Sequence, residues 1–285
     1  MPAGAIDALD LRLVRRTAGR MPGEHRGLGV GVGTEIAQLR PYQIGDDVRR
    51  IDAAASARTG EPHVRQEVPE RALTTWVVLD LSPSMAFGSA DRLKSDVAEG
   101  VALVLGRLAV KRGGKLGLLT FGEDVPRVLP PRGGRRSLAT FTRTVQQGVS
   151  ADGLGGPHGL SWALRRVRGL ARGPGLVVVV SDFREEGDGW RRPLRAVAAH
   201  HRVVCVEIVD PRERELPNSG LLVVVDPESG RTVEADTASA KLRERYAARE
   251  AARAAHVHDT MRRTGVGHVV LTTDRDWLRA LGRAF

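Results

Sequence analysis

Asp80, Ser82 and Ser84 stand two residues apart at the end of an uninterrupted apolar run, Trp76-Val77-Val78-Leu79. Asp182 follows a second run, Leu176-Val177-Val178-Val179-Val180, with only Ser181 between. Two carboxylates and two hydroxyls make an all-oxygen donor set, which favours magnesium, manganese or calcium over zinc. Because two of those ligands are neutral, a dication held by them would keep electrophilic character and accept one more carboxylate from outside. The plainer use of the same residues is to satisfy backbone donors at a turn or helix N-terminus. Enzymatic use is the alternative: a metal-dependent hydrolase or phosphoryl-transfer enzyme at this edge. It lacks a second acid beside Asp80, since position 82 is serine. No Gly-x-Ser-x-Gly elbow surrounds either serine and no histidine base is evident, so a serine hydrolase is not indicated.

The elements around these residues explain how they would meet. Runs such as Trp76 to Leu79 and Leu176 to Val180 read as strands buried on both faces of a parallel sheet. In open α/β sheets, ligands bind outside the carboxyl ends of the strands, where Asp80 and Asp182 would converge. Between and after them, helical patterns run from Asp91 to Arg112, Ser137 to Gln147, Leu160 to Leu170 and Trp190 to His200. Further strands are expected at Leu116 to Phe121, Val203 to Ile208 and His268 to Leu271. Leu221 to Val225 and Arg231 to Glu234 read as a hairpin, and a polar helix from Ala238 to about Thr264 stops at Gly265. Thr273, with Asp276 three residues on, is expected to open a last helix through a capping box. The alternation predicts an α/β fold, a doubly wound, mostly parallel sheet with helices on both faces. The expected division is an N-terminal extension at 1–70 and the α/β domain at 71–285.

Composition narrows the function. Among 285 residues, 41% are hydrophobic and 27% charged, a globular balance. The net charge of +10 raises the question of nucleic acid, but arginine carries nearly all of it and is dispersed beside acids. Only four lysines occur, Lys94, Lys111, Lys115 and Lys241, and aromatic interleaving is lacking, so nucleic-acid binding is not expected. Cys205 is the single cysteine, inside a strand-like run, which rules out a disulfide within the chain and reads as a core side chain. No membrane span is expected, because no stretch approaches roughly 18 consecutive apolar residues. The N-terminus lacks a signal-peptide pattern, and a cytoplasmic location is the expectation.

Upstream, Ile6 to Arg16 gives a short helical signal, and Gly27, Gly29, Gly31 and Gly33 alternate in an extended segment that is no dinucleotide fingerprint. The block from Glu35 to Asp52 holds Arg40, Gly45-Asp46-Asp47, Arg49-Arg50 and Asp52, and reads first as a salt-bridged, capped turn. Ser56 to Pro69 reads as strand-like pieces with turns at Gly60 and Pro62.

Asp80-Leu81-Ser82-Pro83-Ser84 followed by Ser181-Asp182 resembles the metal-ion-dependent adhesion site of von Willebrand factor A-like domains. Leu39-Arg40-Pro41-Tyr42 through Gly45-Asp46-Asp47, Arg49, Ile51-Asp52 and Ala57-Arg58 resembles the bacterial domain of unknown function family 58, and so does Thr273-Asp274-Arg275-Asp276-Trp277. The resemblance implies a non-enzymatic protein-interaction module. It would bind Mg2+ (or Mn2+/Ca2+) through Asp80, Ser82, Ser84 and Asp182 and capture an acidic side chain of a partner. That partner would be a MoxR-type AAA+ ATPase or its client, in an assembly or maturation role. This chain departs from the pattern at Ala53, where relatives often have tryptophan, and in the loop Gly155-Gly156-Pro157-His158, where an adhesion site usually has a threonine ligand. Proline cannot coordinate, which leaves Ser150, Asp152 or His158 as substitutes and a metal-free scaffold as the third reading.

Overall fold

In a computed structural model, residues 36–67, 73–148, 155–185, 187–225 and 230–284 are described. The expected helix at Ile6 to Arg16, the alternating glycines, Ser150 and Asp152 lie outside the described residues. The chain divides into two compact units, one spanning residues 10–72 and the other built on Leu73–Phe285.

In the smaller unit, strand β1 (Ile36–Pro41) pairs antiparallel with a later strand, the two joined through a 3-10 turn (Val48–Arg50) and helix α1 (Ala53–Thr59). That later strand is β2 (His63–Glu67), with Arg40 opposite Val64 and Pro41 opposite His63. The strand-like reading from Ser56 onward is corrected here, because residues up to Thr59 are helical. Asp52 caps the helix by accepting from Ala55 N at 2.9 Å. Three successive alanines then favour helix, and Gly60 ends it at φ 78°, a left-handed conformation that glycine adopts without strain.

The larger unit is a six-stranded sheet whose elements follow in chain order. They are β3 (Thr74–Asp80), α2 (Lys94–Lys111), β4 (Lys115–Phe121), β5 (Val128–Arg132), α3 (Gly134–Val145), α4 (Leu160–Leu170), β6 (Leu176–Ser181), α5 (Arg191–Ala198) and β7 (Arg202–Val209). A separate hairpin, β8 (Leu221–Val225) with β9 (Thr232–Asp236), precedes α6 (Ala240–Thr264), β10 (Gly267–Thr272) and α7 (Trp277–Ala284). The sheet order is β10-β7-β6-β3-β4-β5, with every neighbouring pair parallel except β4 and β5. The doubly wound, mostly parallel α/β architecture expected from the sequence is what the chain adopts.

Alternation along the central strands fills two cores. Trp76, Val78, Val177, Val179, Val203 and Cys205 pack with Leu160 and Leu164 of α4, Leu194 of α5 and Met261 of α6. Val77, Leu79, Val178 and Val180 are equally buried and point the other way, where α2 crosses β3, β4, β6 and β7. Each such valine or leucine contributes roughly 1.5–3 kcal/mol through burial, so the central strands are fixed in register by both faces at once. Cys205 is buried and unpaired, and burial, with the charge of nearby Glu207, pushes its thiol up. The last helix differs from expectation. Asp276 caps it by accepting from Arg279 N at 3.0 Å, while the Thr273 hydroxyl donates to Asp210 at 2.7 Å instead.

Candidate functional site

The register places the site. Leu79 of β3 sits opposite Val180 of β6, so Asp80 arrives beside Ser181, with Asp182 one residue beyond. Ser181 Oγ donates to Asp80 Oδ2 at 2.5 Å, and Ser82 N donates to Asp80 Oδ1 at 2.9 Å. A single 3-10 turn follows (Pro83–Ala86), in which Pro83 and Met85 are buried while Ser82 and Ser84 stay half-exposed. Proline at the first position suits such a turn because its φ is already set and its missing N–H goes unneeded. The turn lifts Ser84 Oγ to donate to Asp182 Oδ2 at 2.8 Å, with Ser82 Oγ 3.1 Å from Ser84 Oγ. All four residues singled out in the sequence are therefore brought together, two hydroxyls above two buried carboxylates.

Backbone geometry tightens this edge. Phe183 has φ 51°, unusual for a residue with a bulky side chain. The turn leaves Asp182 at the edge while Phe183 goes down against Trp190, with ring centroids 5.8 Å apart. Gly122, after β4, has φ 81°, and a Cβ there would lie 2.6 Å from Ser82 N, so only glycine lets that loop approach. Gly156 N in turn donates to Gly122 O at 3.0 Å, which seats the Gly155-Gly156-Pro157-His158 loop against it. The His158 ring stacks on Trp162 at 4.4 Å between centroids, and its carbonyl accepts from Gly122 N.

A network of further charged residues adjoins the site and was not singled out in the sequence. Lys94, fully buried at the start of α2, donates from Nζ to Asp182 Oδ2 at 2.7 Å and to Glu213 Oε1 at 2.6 Å. Arg184 lies 3.8 Å from Glu213 and 3.0 Å from Glu250, and Arg253 of the same network bonds Glu250 at 3.1 Å. Glu213 was legible, since Asp210-Pro211-Arg212-Glu213 has capping-box spacing and forms that box. Lys94 left only a faint signal, a lysine in the first turn of a helix in a chain with few lysines.

The electrostatics of the two aspartates are opposed. Burial, then the charge of Asp182, raises the Asp80 carboxyl to about 7 against the hydrogen bonds from Ser181 and Ser82. Burial also acts on Asp182, but the charge and hydrogen bond of Lys94, with the hydrogen bond from Ser84 and the charge of Arg184, hold it below the usual carboxylate range. Burial penalises Lys94, yet Asp182 and Glu213 keep it charged above the ordinary lysine value. A hard cation fits these donors in kind, being all oxygen, with one carboxylate short of positive charge. Among the described residues no group of three His, Cys, Asp or Glu side chains forms a metal cage, so the serine hydroxyls would be needed as ligands.

A third buried aspartate lies on the same edge. Asp210, after β7, accepts from Ser89 N at 2.8 Å, Arg212 N at 2.9 Å, Thr273 Oγ1 at 2.7 Å and the Ser89 hydroxyl. In the smaller unit, Asp46 accepts a forked pair of bonds from Arg40 at 2.6 and 2.7 Å, and Asp47 and Asp52 cap the 3-10 turn and α1. The upstream acids thus serve as a salt-bridged, capped turn.

Comparison with known proteins adds the following. The family model described as "Protein of unknown function DUF58" matches residues 38–256. An uncharacterized protein of Mycobacterium tuberculosis (strain ATCC 25618 / H37Rv), Rv1480, is 40% identical over 282 residues, 99% of this chain and 88% of the relative. Among solved structures, the conserved hypothetical protein BatB from Bacteroides thetaiotaomicron aligns at a TM-score of 0.48 and 15% identity, over 74% of this chain and 96% of that one. A von Willebrand factor type A structure from Catenulispora acidiphila aligns at 0.40 and 15% identity, over 48% of this chain and 33% of that one.

Proposed function

This chain belongs to the DUF58 family, and we propose that it is a non-enzymatic protein-interaction module that captures an acidic side chain of a partner at the carboxyl edge of its main sheet. One observation carries the reading: Ser82 and Ser84 stand half-exposed directly above two buried aspartates from neighbouring strands, bonded through Ser84 and Asp182 at 2.8 Å. A divalent cation would be held there by Asp80, Ser82, Ser84 and Asp182 and would supply the positive charge that attracts the partner's carboxylate. The surroundings suit docking. Phe87 and Leu93, on the segment between β3 and α2, and Val125, after β4, are 43%, 40% and 74% exposed. Large exposed apolar side chains are a common mark of protein-binding surfaces. A cleft of about 200 Å³ opens beside Leu79 and Leu81 and one of about 380 Å³ beside Leu116, and neither is lined by Ser82, Ser84 or Asp182. Hydrolytic chemistry finds little support, since Ser84 Oγ donates to Asp182 and lies 3.1 Å from Ser82 Oγ, and Lys94, held charged, is no general base.

In this reading the partner is a MoxR-type AAA+ ATPase or its client. The test is co-elution of the purified chain with a MoxR-type ATPase from the same organism, in magnesium and in EDTA, for wild type and the Ser82→Ala/Ser84→Ala pair. A complex lost in both EDTA and the serine variant is the expected result. A complex indifferent to both would make the chain a metal-free scaffold, and turnover of p-nitrophenyl phosphate that vanishes in Asp80→Ala would make it an enzyme.

A further inference from the structure

Among the described residues, Lys94 is the only lysine or arginine that is buried. It is 0% exposed, and it occupies the first turn of an 18-residue helix, α2, where the helix dipole favours negative charge and disfavours an ammonium. Helix formation gives no reason for a lysine there, and Asp96 already serves the helix start by accepting from Leu93 N at 2.8 Å. What holds the ammonium is a pair of carboxylates from two other strand ends, Asp182 after β6 and Glu213 after β7. Its bond to Asp182 goes to Oδ2, the same oxygen that accepts from Ser84 Oγ. The ammonium and the serine hydroxyl therefore share one acceptor atom, at 2.7 and 2.8 Å.

We propose that Lys94 is an internal counter-ion that competes with a divalent cation for this site, so that the chain rests in a self-neutralised state and takes a metal weakly. The inference rests on the docking function proposed above, because it concerns the cation of that same site. Its basis is electrostatic exclusion. A dication bonded to the Ser84 oxygen would lie within a few ångströms of a fixed ammonium in a partly desolvated edge, where like charges repel strongly. It would also draw on an Asp182 oxygen whose charge Lys94 already offsets. Lys94 acts in this scheme as a positioning residue that sets affinity, and it contributes no ligand.

The experiment titrates the chelator-stripped full chain with Mn2+ alone, following free Mn2+ by electron paramagnetic resonance and the melting temperature in parallel. The compared proteins are wild type, Lys94→Met, and Lys94→Met/Glu213→Gln, a pair that removes one cation and one anion together and protects the test from a folding defect in the single variant. Tighter binding by about tenfold or more in either variant, abolished when Asp80→Ala is added, is the expected result. A merely structural lysine would lower the melting temperature and leave Mn2+ affinity unchanged. Equal, measurable binding in wild type and variants overturns the role of Lys94 while leaving a metal-loaded docking site in place. No binding in any of them overturns both the competition and the metal step of the proposed function.

Discussion

Asp80 and Asp210 make an instructive pair, because both are buried aspartates at the carboxyl edge of one sheet and their surroundings drive them in opposite directions. Burial pushes both carboxyls up. At Asp210 the Ser89 hydroxyl and amide, then Thr273 and the Arg212 amide, outweigh burial and hold the group below its ordinary range. At Asp80 burial and then the charge of Asp182 outweigh the Ser181 hydroxyl and the Ser82 hydroxyl and amide, and the group stays near 7. The first arrangement is a closed knot that ties the segment after β3 to β7 and β10. In the second, charge is left incompletely balanced, which is how a fold keeps a place for a ligand. Identical residue types on one edge thus divide into scaffold and candidate site according to whether the donors that reach them outweigh burial and a neighbouring like charge.

Removing the knot should have the largest effect. Asp210→Ala strands four donors, and a loss of about 3–5 kcal/mol in urea melts is expected; a loss below about 1 kcal/mol would show that the knot is not structural. Asp182→Asn leaves Lys94 buried with one carboxylate and should cost about 3 kcal/mol at neutral pH. Because the Asp182 carboxyl is lowered in the fold, its contribution is present above the unfolded carboxylate pKa and fades as pH falls through the folded value, so the gap between variant and wild type should close in acid. Asp80 should behave in the opposite sense. Its raised carboxyl binds a proton more readily folded than unfolded, so ionisation destabilises the fold as pH climbs from about 4 to 7. Asp80→Asn should then be more stable than wild type by on the order of 2 kcal/mol at pH 8 without metal, and no more stable near pH 4. A destabilised variant at pH 8 would erase the contrast with Asp210. Thr273→Val, losing one bond of the knot, should cost about 1.5 kcal/mol, independent of added magnesium.

Much of the fold was legible because its strands are apolar runs that stop abruptly at acids. Trp76 to Leu79 and Leu176 to Val180 could only be buried strands, and parallel pairing then required Asp80 and Asp182 to share an edge. The convergence of Ser82 and Ser84 on them followed from two-residue spacing. What escaped the sequence was settled by distant partners. Thr273 and Asp276 have the spacing of a capping box, but Asp276 caps alone and the threonine turns to Asp210, 63 residues away. Lys94 meets Asp182 and Glu213 across 88 and 119 residues, which no local pattern reveals. At α1 the error was local. Asp52 and three alanines outweighed the turn residues Gly60 and Pro62, which end the helix and leave no strand before them.

Cys205 has a practical consequence of its own. It lies in β7, hydrogen-bonded on one side to β6 and on the other to β10, so neither flank is an edge. A thiol-reactive maleimide can reach it only when the sheet opens, and the chain offers no second cysteine to react in its place. When closing outpaces reaction, the labelling rate reports the equilibrium between closed and open sheet. The molecule therefore carries a single built-in timer for the opening of its sheet at β7, readable at low concentration and without denaturant.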